Sequence, residues 1–291
     1  MLPQQTVAKI DISEFNRVLT KYDDLVSDLS KRQGTKTYVA TPSDSLERLD
    51  RRRFNEIPAV AQQRTTDKGE TWLEKEEVED LIKWKLKHGK FRPKLTQLVA
   101  SNPSSTVAST TKEAFQLHDA NPSAPSSSIT KLTSLKGIGP ASASLLLAVF
   151  DPQHVPFFSD ECFRWVMYEG STNDKGWDRK IKYDAKEYRT LFELVANLRN
   201  RLQEESGKEI SAADVEKVAY VLGKEAGGEG VNGKAIGNGV GKSSAAQISP
   251  ERKVSPPVPK ERKRKAPPSG GSDVATTENE QPLRRSGRRR G

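Results

Sequence analysis

An all-α body followed by a basic tail without a core is what this chain of 291 residues predicts. Three observations carry the prediction. Apolar residues recur at helical spacing in segment after segment up to about residue 226, and no run alternates apolar and polar residues between turn signals as a half-buried strand does. Residues 227 to 242, GGEGVNGKAIGNGVGK, then hold seven glycines, and the sequence beyond them is dominated by Pro, Ser and charge. A mean hydropathy of -0.72 agrees with a large share of the chain building no core. The expected division is a helical body over residues 1–226 and a disordered tail over 227–291.

The first helix is expected from Ser13 to Ser30, where Phe15, Val18, Leu19, Leu25 and Leu29 share a face ahead of Gly34. A weaker one covers Ser45 to about Asn55. Thr71 and Glu74 read as a Thr-x-x-Glu capping box opening a helix that buries Val78, Leu81, Ile82 and Leu86 before Gly89 stops it. Pro93 suits the first turn of the next helix, with Leu95, Leu98 and Val99. Further helices are expected at about Ser105–His118, Ser127–Leu135, Ala141–Phe150, Asp160–Glu169, Ala185–Glu205 and Ala212–Glu225. No internal repeat appears at a solenoid period.

Charge divides unevenly. The tail carries 14 Lys and Arg against 6 Asp and Glu, leaving 34 basic and 33 acidic residues in the body, so the basic character belongs to the tail. The tail runs KERKRK (Lys260, Arg262, Lys263, Arg264, Lys265) and RRSGRRR (Arg284, Arg285, Arg288, Arg289, Arg290) have the composition of nuclear-import signals, so a nuclear location and an import receptor are expected. The opening residues MLPQQTVAKIDI lack a secretory apolar run, and no segment has the length of a membrane span, so no membrane association is expected.

Functional signals concentrate in two places. In residues 127–150 two helical segments meet at Gly137-Ile138-Gly139, with Leu132, Leu135, Ile138, Ala143, Leu146 and Leu147 available to seal them together. Glycines permit the tight turn and Pro140 pre-sets the next helix. Free amides then gather at a helix N-terminus, a seat for a phosphate oxygen that reads no base sequence. Lys136 adds charge there.

The second signal is LIKWKLKHGKFRPKLTQLVASN, Leu81 to Asn102, in which Lys83, Lys85, Lys87, Lys90, Arg92 and Lys94 alternate with Trp84 and Phe91. That mixture suits a phosphate backbone with stacking on bases or sugars; equally, the aromatics could be core and the lysines a solvated face.

The pattern Leu132-x-x-Leu135-x-Gly137-Ile138-Gly139-x-x-x-Ala143-x-x-Leu146-Leu147, followed by Val155-Pro156-Phe157-Phe158-Ser159-Asp160-Glu161, resembles the helix-hairpin-helix DNA glycosylase superfamily, as a divergent eukaryotic member. The resemblance implies that Asp160 or Glu161 occupies the place of the family's essential acid. It also exposes a departure: strand-cutting members carry a lysine where this chain has Ala141, so no hairpin nucleophile is present. A monofunctional glycosylase needs only the acid, beside a pocket that Trp165, Phe157 and Phe158 are placed to line. Asp160 and Glu161 also follow Ser159, a good N-cap, and acids in a helix's first turn are favoured by its dipole.

Cofactors are not expected. Cys162 is the single cysteine, too few for an iron-sulfur cluster, and His88, His118 and His154 show no metal-ligand spacing. Gly239 to Ser243 lacks the first glycine of a phosphate-binding loop. The leading expectation is a nuclear protein that binds DNA, or a DNA-associated assembly, without cutting it. The alternatives are a monofunctional glycosylase and a chromatin-complex subunit that contacts chromatin-associated proteins.

Overall fold

In the computed structural model, which describes residues 5–36, 44–89, 92–169 and 176–228, every regular element among the described residues is helical. Lys90, Phe91, the import-like runs and all of the tail from residue 229 lie outside the described residues.

Asp11 opens α1 (Ile12–Leu19) by accepting from the Glu14 amide at 2.8 Å, and Phe15 and Val18 face inward. The single helix expected over Ser13–Ser30 is in fact two. The chain turns at Thr20–Lys21, with Lys21 N donating to Val18 O at 3.1 Å, and α2 (Tyr22–Lys36) restarts with Tyr22 buried and its hydroxyl on Asp50 Oδ1 at 2.8 Å. Neither Gly nor Pro marks this break.

Ser45 caps α3 (Leu46–Arg51), which passes through a π-helical turn (Arg52–Glu56) into α4 (Ile57–Lys68), ended by Gly69 at φ +69°. The helix expected to stop near Asn55 therefore runs on to Lys68. Pro58 follows the wide turn as a first-turn residue of α4, where a missing N–H costs little.

Helix α5 (Lys75–His88) starts three residues later than the expected box. Glu74 accepts from the Glu77 backbone while Glu77 Oε2 accepts from Glu74 N at 2.8 Å, so Glu74-x-x-Glu77 takes the reciprocal geometry, and Thr71 instead hydrogen-bonds Thr65. The remaining helices are α6 (Pro93–Ala100), α7 (Ser104–Ala120), α8 (Ser126–Leu132), α9 (Pro140–Phe150), α10 (Asp160–Val166), α11 (Ala185–Ser206) and α12 (Ala212–Ala226).

Helix α9 is the axis of the core. Every residue from Ala141 to Val149 is buried, as a helix apolar on all sides requires. Beside it lies a polar knot. The Arg53 guanidinium sits 4.0 Å from the Phe54 ring centroid and 4.2 Å from that of Trp84, and its Nη2 meets Glu216 Oε2 of α12 at 2.6 Å. Asp50 accepts from Tyr22 and from Trp84 Nε1, both at 2.8 Å. His88 stacks between Trp84 and Tyr220, at 4.3 and 3.5 Å between centroids, and its burial holds it far below the usual imidazole pKa.

The two ends of this body meet. Trp165 Nε1 donates to Gln5 O at 2.8 Å, Ile12 N to Glu205 Oε1 at 3.1 Å, and Lys21 pairs with Glu225 at 2.6 Å.

Candidate functional site

The hairpin forms as its glycines require. Leu132, Leu135 and Ile138 are buried between α8 and α9, Ile138 N donates to Leu135 O at 3.1 Å, and Gly137 sits at φ +79°. A Cβ on Gly137 would come within 3.0 Å of Leu98 Cβ and Val99 Cγ2, so the turn is seated directly on α6. Asn102, buried at the end of α6, clamps it: its Oδ1 accepts from Lys136 N and its Nδ2 donates to Lys136 O, both at 2.9 Å.

Gly139 differs from Gly137. Its φ is -94°, and a Cβ there would meet nothing within 4 Å. It is the N-cap residue of α9; its carbonyl takes the Ser142 and Ala143 amides, while the amides of Gly139 and Ala141 have no acceptor among the described residues. The side chain of Lys136, earlier in the same turn, is exposed and is not among the cleft-lining residues.

These amides open onto a cleft of about 560 Å³ bounded by α5, α6, the start of α10, residues 182–183 and Lys224 of α12. Its cationic lining comprises Lys85, Arg92, Arg164, Lys182 and Lys224, against the carboxylates of Asp160 and Glu161. The body is almost neutral, whereas the cleft lining holds five cationic side chains against two carboxylates.

Ser159 is the N-cap of α10, accepting from Cys162 N at 3.0 Å, which puts both acids in the first turn. The structure separates them. Asp160 accepts a hydrogen bond from Tyr183 Oη and lies 3.5 Å from Arg164 Nη1. Glu161 packs its stem over Gly223, where a Cβ would meet Glu161 Cγ at 2.7 Å, and its carboxylate is 3.8 Å from Lys224 Nζ. Burial raises the Glu161 pKa against the opposing pull of Lys224.

Tyr183 has φ 58°, an uncommon conformation for a bulky residue, and is held there by Glu187 Oε2, which accepts from the amides of both Lys182 and Tyr183 at 2.8 Å. Burial and the Asp160 charge push its phenol up, so it stays a proton donor.

The basic block does not act as one face. Lys85 and Arg92 line the cleft, whereas Lys83 lies roughly 200° round the helix from Lys85 and pairs with Asp80 at 3.2 Å and Asp44 at 3.6 Å. Lys87 and Lys94 are not cleft-lining residues. Trp84 is fully buried and cannot stack on a base; its place in the knot settles it as core. Of the three aromatics expected beside the acid, Phe157 and Phe158 line the cleft, but Trp165 does not, because its ring is buried and turned to Gln5.

Compared with protein-family models, curated proteins and solved structures, the chain matches none.

Tyr183, Arg164, Lys182 and Lys224 reach the cleft from segments without a recognisable motif, and Asn102 carries no signal of its clamp. Lys85 stood in the sequence only as one cation of a stripe. Its Nζ donates to Ser142 Oγ at 2.8 Å and lies 6.0 Å from the Phe157 ring centroid. Burial, reinforced by Arg92 and opposed by Asp160, pushes Lys85 down to about 8. Cys162 is buried, which raises its thiol pKa. His118 and His154 flank Asp151, both at 2.9 Å, away from the cleft lining, and no group of His, Cys, Asp or Glu among the described residues is arranged to hold a metal ion.

Proposed function

We propose that this protein binds duplex DNA by its backbone at the hairpin and takes one nucleotide, drawn out of the stack, into the adjoining cleft. The observation that supports this best is the shared opening: the unpartnered amides of Gly139 and Ala141 look into the same cavity as Asp160 and five cationic side chains. Amides at a helix N-terminus hold a phosphate, and the cations draw in the chain attached to it. Within the cleft Asp160, oriented by Tyr183, would stabilise a sugar that becomes cationic as its base departs, and would orient the attacking water. Glu161 also borders the cleft, but its stem packs on Gly223 and its carboxylate faces Lys224 of α12. In this reading the acid of a monofunctional glycosylase is Asp160. The tail, with its Lys260–Lys265 and Arg284–Arg290 runs, carries the protein to the nucleus through an import receptor.

Gly139→Leu is the direct test of the phosphate seat. A Cβ there meets nothing within 4 Å, and losing an N-cap glycine costs about 1 kcal/mol or less, so the melting temperature should fall by only a few degrees while the side chain crowds the space in front of the amides. Affinity of the full chain for an abasic-site duplex should fall at least tenfold, with a smaller slope against salt. An unchanged affinity in the Gly139→Leu variant would remove the hairpin amides from the DNA contact and would favour the chromatin-subunit reading, which the near-neutral body also suits.

Base release is tested with Asp160→Asn on duplexes carrying deaminated or alkylated bases. The native chain should yield alkali-labile sites, and the variant should lose about 10²–10⁴-fold in rate with binding retained. Equal rates would remove Asp160 from the chemistry.

A further inference from the structure

We propose that Lys85 is a nucleophilic amine that captures the aldehyde of an abasic deoxyribose in the cleft, giving the protein a strand-cutting activity; this rests on the cleft receiving a sugar residue. The expectation that the chain does not cut comes from Ala141, which holds no amine. Lys85 comes instead from α5, and the hydrogen bond to Ser142 fixes its Nζ one residue along α9 from Ala141, beside the amides proposed to hold the phosphate. Asp160 borders the same cavity.

Three features distinguish Lys85 from the other cleft lysines. Lys182 is exposed, and Lys224 stands 3.8 Å from the Glu161 carboxylate. The Lys85 stem is enclosed by protein, with Phe157 on one side. The charged groups facing it are Arg92, which disfavours its protonation, and Asp160, which favours it; with burial the net result is a pKa of about 8, so an unprotonated fraction exists near neutral pH.

The chemistry needs no co-reactant beyond water. The Lys85 nitrogen lone pair adds to C1′ of the open-chain sugar, and loss of water leaves a protonated imine. A proton then leaves C2′ to solvent, its electron pair forms the C2′–C3′ double bond, and the 3′ phosphate departs with the C3′–O bonding pair. Water adds to the imine and releases Lys85 unchanged.

The experiment incubates the full chain with an abasic-site duplex and sodium borohydride, which reduces the imine to a stable amine, and maps the cross-linked peptide by mass spectrometry. The expected result is an adduct on Lys85, a trapping rate that climbs as pH rises towards about 8, and a loss of at least 100-fold in Lys85→Arg, which keeps the cation but has no amine able to form the imine. Lys112→Ala, which removes an amine paired with Glu70 outside the cleft lining, should trap as the native chain does. An adduct mapped to any other amine overturns the assignment, and because the mapping uses the native chain this holds even if Lys85→Arg is unstable. Tight binding of the abasic duplex without any adduct overturns this proposal and leaves the DNA-binding reading intact. Absence of binding overturns both.

Discussion

Arg53→Ala is expected to destabilise the body by about 3–5 kcal/mol, read as a fall in Tm of roughly 10 °C or more. Both Arg53 and Glu216 have side chains only 3% exposed, and their 2.6 Å contact is the charge partner each has in the core. Removing the guanidinium also empties the space between the Phe54 and Trp84 rings. The loss should depend on pH. Burial, reinforced by the Asp50 charge, raises Glu216 to about 7 even though Arg53 and Lys217 pull it down. An acid raised in the folded state binds more protons than the unfolded chain between its ordinary value near 4.5 and about 7, so stability contributed by the neutral form is lost as pH climbs through that window. Without Arg53 the penalty for the charged form grows. The variant should therefore be closer to the native protein at pH 5 than at pH 8, which denaturant titrations at the two values will show; an equal loss at both would mean that packing, not charge, dominates.

The second large effect is expected at Gly137. Valine there must hold φ near +79° and place its Cβ 3.0 Å from two side-chain atoms and 3.2 Å from Val99 N. A β-branched residue in the left-handed region costs about 1–2 kcal/mol or more, and overpacking about 1–3 kcal/mol. The combined loss is about 3 kcal/mol, with DNA affinity falling because the hairpin lifts from α6. Gly137→Ala should lose less, and Gly139→Leu only the loss of about 1 kcal/mol or less expected at an N-cap. Two glycines one residue apart thus separate structure from binding: if Gly137→Val melts like the native chain, the turn is not seated on α6.

That division could not have been read from Gly137-Ile138-Gly139 alone, since the sequence presents both glycines as equivalent. The legible part was local. The hairpin, the Ser159 cap, the α9 core run and the helices from α7 onward arise from spacing, caps and breakers acting within a few residues. The features that escaped were decided by distant partners. The break before Tyr22 coincides with its burial and its hydroxyl's bond to Asp50, and the wide turn at Arg52–Glu56 carries the second helix past Asn55 with Pro58 in the first turn of α4. The basic stripe misled for a related reason: lysines at every second residue point to opposite sides of a helix, so Lys83 went to Asp80 and Lys85 to the cleft. Tyr183, with a backbone conformation no composition signals, was invisible.

The joining of the two ends has a consequence for how the protein is made. Gln5 and Ile12 take their partners from Trp165 and Glu205, and α1 packs on α11 and α12, so the partners of α1 follow it out of the ribosome 160 to 193 residues later, whereas α2 meets Asp50 and α3 early. At ordinary synthesis rates α1 waits roughly 10–40 s. During that interval the apolar face of α1 stays uncovered, and the nascent chain is at its most exposed to chaperones and to association with its neighbours on the same message.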